Sequence, residues 1–293
     1  MAEPSVSERN SAPVDDGMPP SARSRAMAML TLCGSLSLHP VPTGAAMHLA
    51  AYRALGLPFT YVPFAVTDLE GALRGMRALG IRGLGVSMPF KQQVLPLLDA
   101  VDPVAARIGA VNTLVNDGGR ITGHNTDWMG AVQALEEITT LAGRRVLLLG
   151  AGGAARAVAF GLRERGAVVT LANRDRAKAE RLAAEVDATP AGLDEETFRG
   201  DHAILVNATS RGMAGVAPGS PVPEGVLRPG QVVMDIVYKP LRTELFDAAQ
   251  RAGATAIHGG RMLLYQAAAQ FQLYTGRPAP LAAMDEALRT QLG

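Results

Sequence analysis

Apolar positions along this chain fall in short blocks whose period alternates between strand and helix. The run MLTLCGS (29–35) is brief, apolar and bounded by Gly34, as a buried strand requires. GAAMHLAAYRALG (44–56) shows helical apolar spacing and a glycine stop. PFTYVPF (58–64) is the next strand, and Thr67 opens a capping box, Thr-Asp-Leu-Glu, for a helix running to Gly80. Strands follow at 81–87 and 110–116, the latter leading into the turn Asp117-Gly118-Gly119. This rhythm predicts a parallel sheet covered by helices.

A linking helix over 127–142 ends near Gly143, and the pattern restarts. RRVLLLG (144–150) reads as a buried parallel strand because it is apolar throughout. An Ala-rich helix, a strand at 167–174, a helix at 175–186 and strands at 202–209 and 231–238 follow. Helices near 260–275 and 280–292 end the chain and are expected to return to the first unit. The expected fold class is therefore α/β with two domains and a cleft between them. An N-terminal α/β substrate domain takes residues 27–126 plus 263–293, and a Rossmann-type dinucleotide domain takes 127–262.

Composition narrows this picture. The chain has 293 residues, with 28 basic and 27 acidic side chains. So even a balance supplies no broad basic field, and nucleic acid is excluded as a partner. No apolar run approaches the roughly 20 residues that span a bilayer, so no membrane role is expected. One cysteine, Cys33, excludes a disulfide framework and a cysteine-based zinc site. Residues 1–26 are rich in Pro, Ser and charge and read as a disordered leader. They lack the apolar core of a secretory signal, which makes a cytoplasmic location the expectation. Only three of the basic residues are lysines: Lys91, Lys178 and Lys239.

The glycine loop carries the first chemistry. Gly150-Ala151-Gly152-Gly153-Ala154-Ala155 fits G-x-G-x-x-(G/A), directly after a strand and before a helix. Small residues let backbone N–H groups at a helix start approach a pyrophosphate, where the helix dipole also favours an anion. An NAD site usually places an acid about 20 residues on. This chain has Asn173-Arg174, which suits the 2′-phosphate of NADP, and Lys178 lies one helical turn further on. NAD stays open as the alternative, because Asp175 either caps the next helix or opposes the phosphate.

Lys91, Asn112 and Asp127 each close an apolar element, where crevices of open α/β sheets form. Singly, they read as an exposed lysine, a turn asparagine and a helix cap. Together with GVSMPFK (85–91), GAVNTLV (109–115), GHNTDWMG (123–130), GAGGAAR (150–156), ANR (172–174), NATSRGM (207–213), DIVYKPLRTEL (235–245) and GGRMLLYQAAAQFQLYTG (259–276), the chain resembles the shikimate dehydrogenase family over about residues 29–290. The resemblance implies that Lys91 and Asp127 are the catalytic pair. It implies that Ser87, Asn112, Tyr238 and Gln266 hold a cyclic polyol carboxylate. It implies that Thr209, Ile236, Gly259 and Met262 line the cofactor, with Ile236, Gly259 and Met262 beside the nicotinamide.

One motif departs from the family. Shikimate-binding members carry Ser-x-Ser-Pro-x-x-His-Asn, whose serines grip the substrate carboxylate. Counting back from His48 puts Pro42 and Gly44 at the serine positions; counting on from Gly34 puts Pro40 and Pro42 there. Leu49 replaces the asparagine. Ser35, Ser37, His39 and Thr43 are the polar groups left nearby. Losing two hydrogen bonds to a charge costs on the order of 3–6 kcal/mol of binding. The loop resembles a divergent, shikimate-dehydrogenase-like branch. The expected activity is reversible hydride transfer between NADP(H) and the shikimate/3-dehydroshikimate pair, by a monomer or homodimer. The alternatives are a related enzyme acting on another cyclic polyol acid such as quinate, or a catalytically weak NADP-binding sensor.

Overall fold

The computed structural model describes residues 29–292; the leader expected over residues 1–26 lies outside them. Two six-stranded sheets organise the chain. The first is built from β1 (Thr31–Ser37), β2 (Phe59–Ala65), β3 (Gly83–Val86), β4 (Ala100–Val101), β5 (Thr113–Asp117) and β6 (Arg120–His124), in the order β2-β1-β3-β5-β6-β4. Its helices are α1 (Thr43–Ala54), α2 (Leu69–Ala78), α3 (Phe90–Gln93) and α4 (Pro103–Ile108).

This sheet is mixed rather than parallel, which corrects the expectation. β5 runs antiparallel to both β3 and β6. The cause is local. Gly118 and Gly119 both take positive φ, 62° and 98°, so they close a two-residue hairpin between Asp117 and Arg120. The turn is legible in the sequence, but the strand after it is not, because RITGH is half polar. The expected cap is corrected too: Asp68, not Thr67, is the N-cap of α2 and accepts from Gly71 N at 2.8 Å. Asp68 has the extended backbone that a cap needs, with φ −112° and ψ 98°.

Helix α5 (Asp127–Glu136) leads to the second sheet and ends earlier than the pattern predicts. β7 (Arg145–Leu149), α6 (Gly153–Glu164), β8 (Val168–Ala172), α7 (Arg176–Val186), β9 (Thr189–Ala191) and α8 (Glu195–Arg199) follow. Next come β10 (Ile204–Asn207), β11 (Val232–Asp235), α9 (Glu244–Arg251) and β12 (Thr255–Ile257). The order β12-β11-β10-β7-β8-β9 is parallel throughout. It is the doubly wound dinucleotide order, and its switch point lies between β7 and β10.

The last helices, α10 (Gly259–Thr275) and α11 (Leu281–Leu292), pack against the first sheet. Leu264, Phe271 and Met284 bury against Cys33, Met47 and Tyr61. The start of α10 stays with the second sheet through Met262. Helices α5 and α10 meet at Gly130, where a Cβ would lie 2.5 Å from the Met262 carbonyl. Only glycine permits this approach, which brings Asp127 and Gln266 within reach of one asparagine.

His48 sits at the centre of the first sheet's α1/α10 side. It is fully buried and stacked on Tyr61 at 4.4 Å between ring centres. Burial lowers its pKa from about 6.5 to about 4, so the folded protein holds it neutral. The unfolded chain takes up a proton near pH 6.5. This contribution to stability is therefore complete above that pH and is lost as pH falls toward 4; the shift corresponds to about 3 kcal/mol. The variant His48→Phe keeps an aromatic ring and removes the titration. Urea midpoints measured from pH 7 to pH 4 should fall less steeply for it than for the wild type. Parallel profiles would show that another group governs the acid limb.

Candidate functional site

Two groups of side chains gather at the strand ends. In the first, Lys91 on α3, after β3, meets Asp127, the first residue of α5. Lys91 Nζ donates to Asp127 Oδ2 at 2.7 Å. Asn112 Nδ2 lies 2.8 Å from Asp127 Oδ1, 3.0 Å from Thr126 Oγ1 and 3.4 Å from Gln266 Oε1. The Asn112 side-chain oxygen accepts from Thr126 N at 2.7 Å and from Thr113 Oγ1 at 2.8 Å, which fixes the amide orientation. Asn125 Oδ1 accepts from Asp127 N at 3.0 Å. The carboxylate is thus clamped from several directions, while Lys91 Nζ stays partly open, its side chain 29 % exposed.

Ser87, Met88 and Pro89 are exposed at the rim of this group. Tyr238 approaches from beyond β11 and is half-buried. Burial raises its phenol pKa, and the nearby Lys91 cation opposes that rise. The structure therefore brings Lys91, Asp127, Asn112 and Gln266 into one hydrogen-bonded set, with Ser87 and Tyr238 beside it.

The second group surrounds the glycine loop. A cavity of about 430 Å³ is walled by Ala151, Gly152, Gly153, Arg156, Asn173, Arg174, Asp175, Lys178 and Gln92. Gly150 lies just behind, with φ 117°, a conformation that favours glycine. A Cβ there would meet the Ala208 carbonyl at 2.8 Å and Thr209 Cγ2 at 3.2 Å, so Thr209 flanks the loop across the switch point. Gly152 caps α6 without a side-chain bond, and the first turn has no acid. The N–H groups opening the helix therefore face an acceptor supplied from outside.

Asp175 is a helix cap, which decides between its two expected roles. Its Oδ1 accepts from Lys178 N at 3.1 Å, and this bond holds its carboxyl below the usual range. The Lys178 ammonium lies 3.6 Å from Asp175 Oδ2, so part of its charge is already matched. Arg174 is exposed on the same wall and has no carboxylate partner among the described residues.

Ala154, Thr209, Ile236, Gly259 and Met262 do not wall this cavity. Ile236 and Met262 instead pack in one apolar cluster, and a Cβ at Gly259 would lie 2.2 Å from the Ile236 carbonyl. Three features escape the sequence reading. Arg156 walls the cavity and pairs with Glu185; it closes the glycine motif, which was the available signal. Gln92, next to Lys91, reaches the same cavity. Asp235 accepts from Asn207 Nδ2 at 2.9 Å, Thr243 Oγ1 at 2.7 Å and Val237 N at 3.0 Å, tying together the loops that carry Thr209 and Tyr238. Burial raises the Asp235 pKa against these bonds.

Fold and site together define a two-sheet α/β protein with a dinucleotide crevice and a lysine–carboxylate centre. Family models match in three stretches. Residues 42–114 match the shikimate dehydrogenase substrate binding domain, 132–209 the shikimate/quinate 5-dehydrogenase model, and 259–289 the shikimate 5′-dehydrogenase C-terminal domain. The shikimate dehydrogenase (NADP(+)) of Natronomonas pharaonis is 48% identical over 250 residues, covering 84% of this chain and 93% of that one. The enzyme of the same name from Syntrophobacter fumaroxidans is 44% identical over 263 residues, covering 87% and 90%. A crystal structure of shikimate 5-dehydrogenase from Thermus thermophilus, in complex with NADP(H) and shikimate, superposes with a TM-score of 0.82 at 38% identity, covering 90% and 100%. The chain belongs to the shikimate dehydrogenase family of oxidoreductases.

Proposed function

We propose that this protein interconverts shikimate and 3-dehydroshikimate with NADP(H), a step toward aromatic amino acids. Residues 27–126 with 263–293 hold the ring acid, and residues 127–262 hold the dinucleotide. The observation that carries this reading is the Lys91–Asp127–Asn112 set beside a glycine-loop cavity with an open arginine.

The cavity fits a dinucleotide phosphate by its chemistry: glycines at the turn, unfilled N–H groups at the start of α6, and Arg174, Lys178 and Asn173 on the opposite wall. The chemistry that NADP supplies when bound is acceptance of a hydride from the carbinol carbon. Thr209, Ile236, Gly259 and Met262 close the far side of its path. Ser87, Asn112, Tyr238 and Gln266 orient the ring. In oxidation the neutral Lys91 amine, its own proton first released to solvent, takes the hydroxyl proton and becomes the ammonium; in reduction the ammonium gives that proton to the forming alkoxide. Asp127 holds the ammonium in line, and Asn112 holds Asp127.

Absorbance at 340 nm, read with NADP and either shikimate or quinate, tests the proposal. Turnover on shikimate with NADP favoured over NAD is expected. Tight NADP binding without turnover on any ring alcohol would instead favour a sensor. Better turnover on quinate would favour the other acid, the reading that the altered 38–42 loop suggests.

A further inference from the structure

Gln270 lies one helical turn beyond Gln266 on α10 and is buried, only 5% exposed. It bonds neither Lys91 nor Asp127, and it lines no part of the dinucleotide cavity. Its carboxamide Nε2 donates to the Asn112 main-chain carbonyl at 3.2 Å and to Thr113 Oγ1 at 3.1 Å. A main-chain carbonyl can only accept, so the NH2 end of Gln270 must face this pair. Gly85 leaves the room for it, since a Cβ there would stand 3.4 Å from Gln270 Nε2.

The direction of each further bond follows from that amide. A hydroxyl has one proton to give. Thr113 Oγ1 accepts from Gln270, and its own proton goes onward to Asn112 Oδ1 at 2.8 Å. The other oxygen within reach, Thr126 Oγ1, is further away at 3.3 Å. With Asn112 Oδ1 turned toward Thr113, the NH2 end of Asn112 faces Asp127 Oδ1 at 2.8 Å. The second oxygen of Asp127 is left for Lys91 Nζ at 2.7 Å. A run of bonds of one direction therefore leads from Gln270 through Thr113 and Asn112 to Asp127, beside the lysine. All four of these residues are buried, so a donor lost there is not replaced by bulk water.

Helix α10 holds Asn112 at two points. Residues four apart share a helix face. Gln266 Oε1 lies 3.4 Å from the Asn112 amide nitrogen, while Gln270 takes the Asn112 carbonyl. Val86 N donates to that same carbonyl at 2.7 Å, which ties it to β3 and so to the start of α3. Thr126 N also holds Asn112 Oδ1, at 2.7 Å, so loss of Gln270 loosens the amide without freeing it.

We propose that Gln270 is a positioning residue: through Thr113 it sets the hydrogen-bond direction that turns the Asn112 amide onto Asp127, and so aims Lys91. This rests on the proton path proposed above and adds to it a residue that acts only through others.

The test uses Gln270→Met, which keeps the side-chain length and removes the donor. Single-turnover oxidation of shikimate by NADP, followed by stopped flow at 340 nm, reads the hydride step apart from product release. The rate should fall by about 5- to 30-fold, while NADPH affinity, which reports folding, moves by less than about threefold. Thr113→Val removes the relaying hydroxyl. The double variant should be slower than the worse single variant by less than about threefold, because both break one chain of bonds. In crystal structures, Asn112 Nδ2 should draw away from Asp127 Oδ1 in Gln270→Met, past the ~3.2 Å of a good hydrogen bond. If Gln270→Met does not bind NADPH, Gln270→Leu takes its place with the same expected outcomes. A rate within about threefold of the wild type, losses that multiply in the double variant, or an unmoved Asn112 amide would each overturn the proposal. A wild type that does not turn over defeats the function proposed above, and the crystal comparison still decides the relay. Normal wild-type turnover with an unaffected variant defeats only the relay.

Discussion

Lys91→Ala is expected to lower turnover by about 10²–10⁴-fold, the usual worth of positioned proton transfer. NADPH affinity should change by less than about threefold, since no charged phosphate contact is lost. The reason lies in the arrangement of α3. The Lys91 side chain turns to Asp127, and the neighbouring Gln92 turns to the dinucleotide cavity. The Lys91 main-chain carbonyl, which accepts from Val111 N at 2.8 Å, survives the substitution, so the strand ends stay in place. Arginine at this position should not restore activity, because a guanidinium does not release its proton at working pH. Steady-state rates with shikimate, beside fluorescence titration of NADPH, read both quantities. Turnover within about tenfold of the wild type would remove Lys91 from the proton path.

Arg174→Ala should weaken NADPH by about 10- to 100-fold and leave NADH within about threefold, since only NADPH carries the 2′-phosphate. Arg174 stands on the cavity wall with its charge uncommitted among the described residues, so its loss removes a full charge-assisted contact. Lys178→Ala should do less, because Asp175 already lies 3.6 Å from that ammonium. Titration of both cofactors against both variants decides the order. Equal weakening of NADH and NADPH by Arg174→Ala would place the arginine elsewhere on the cofactor or in the fold.

The site is legible in the sequence in unequal measure. Gly150 through Gly153, Arg174 and Lys178 stand out because a glycine turn between strand and helix has few other uses, and the cavity collects all of them but Gly150, which lies just behind its wall. Arg156 escapes notice although it closes the same motif, because a helical arginine is ordinarily a solvated one. Asp175 is ambiguous in one dimension; its bond to Lys178 N makes it a cap. The antiparallel hairpin is hidden because β6 carries Arg120, Thr122 and His124, too polar for a continuous apolar run. Asn207, Asp235 and Thr243 sit far apart along the chain, and only the adjacency of β10 and β11 joins them.

The loss of the carboxylate serines shows the same division. Residues 38–42 alone reveal that proline cannot donate, and therefore that the usual grip is absent. They do not say which of Ser35, Ser37, His39 and Thr43 remains available. In the folded chain His39 is exposed, while Ser37 and Thr43 are buried on either side of the loop.

By itself, the sequence determined the alternation of strands and helices, the glycine turn between strand and helix, and the family. These depend on local period, on backbone freedom and on side-chain chemistry, all of which are written along the chain. Tertiary structure decided the mixed order of the first sheet, the clamp of Asn112 on Asp127, and the close contact of α5 with α10 at Gly130. Those depend on which segments approach in space, a choice set by burial and register across as many as 192 positions of separation, as between Arg82 and Tyr274.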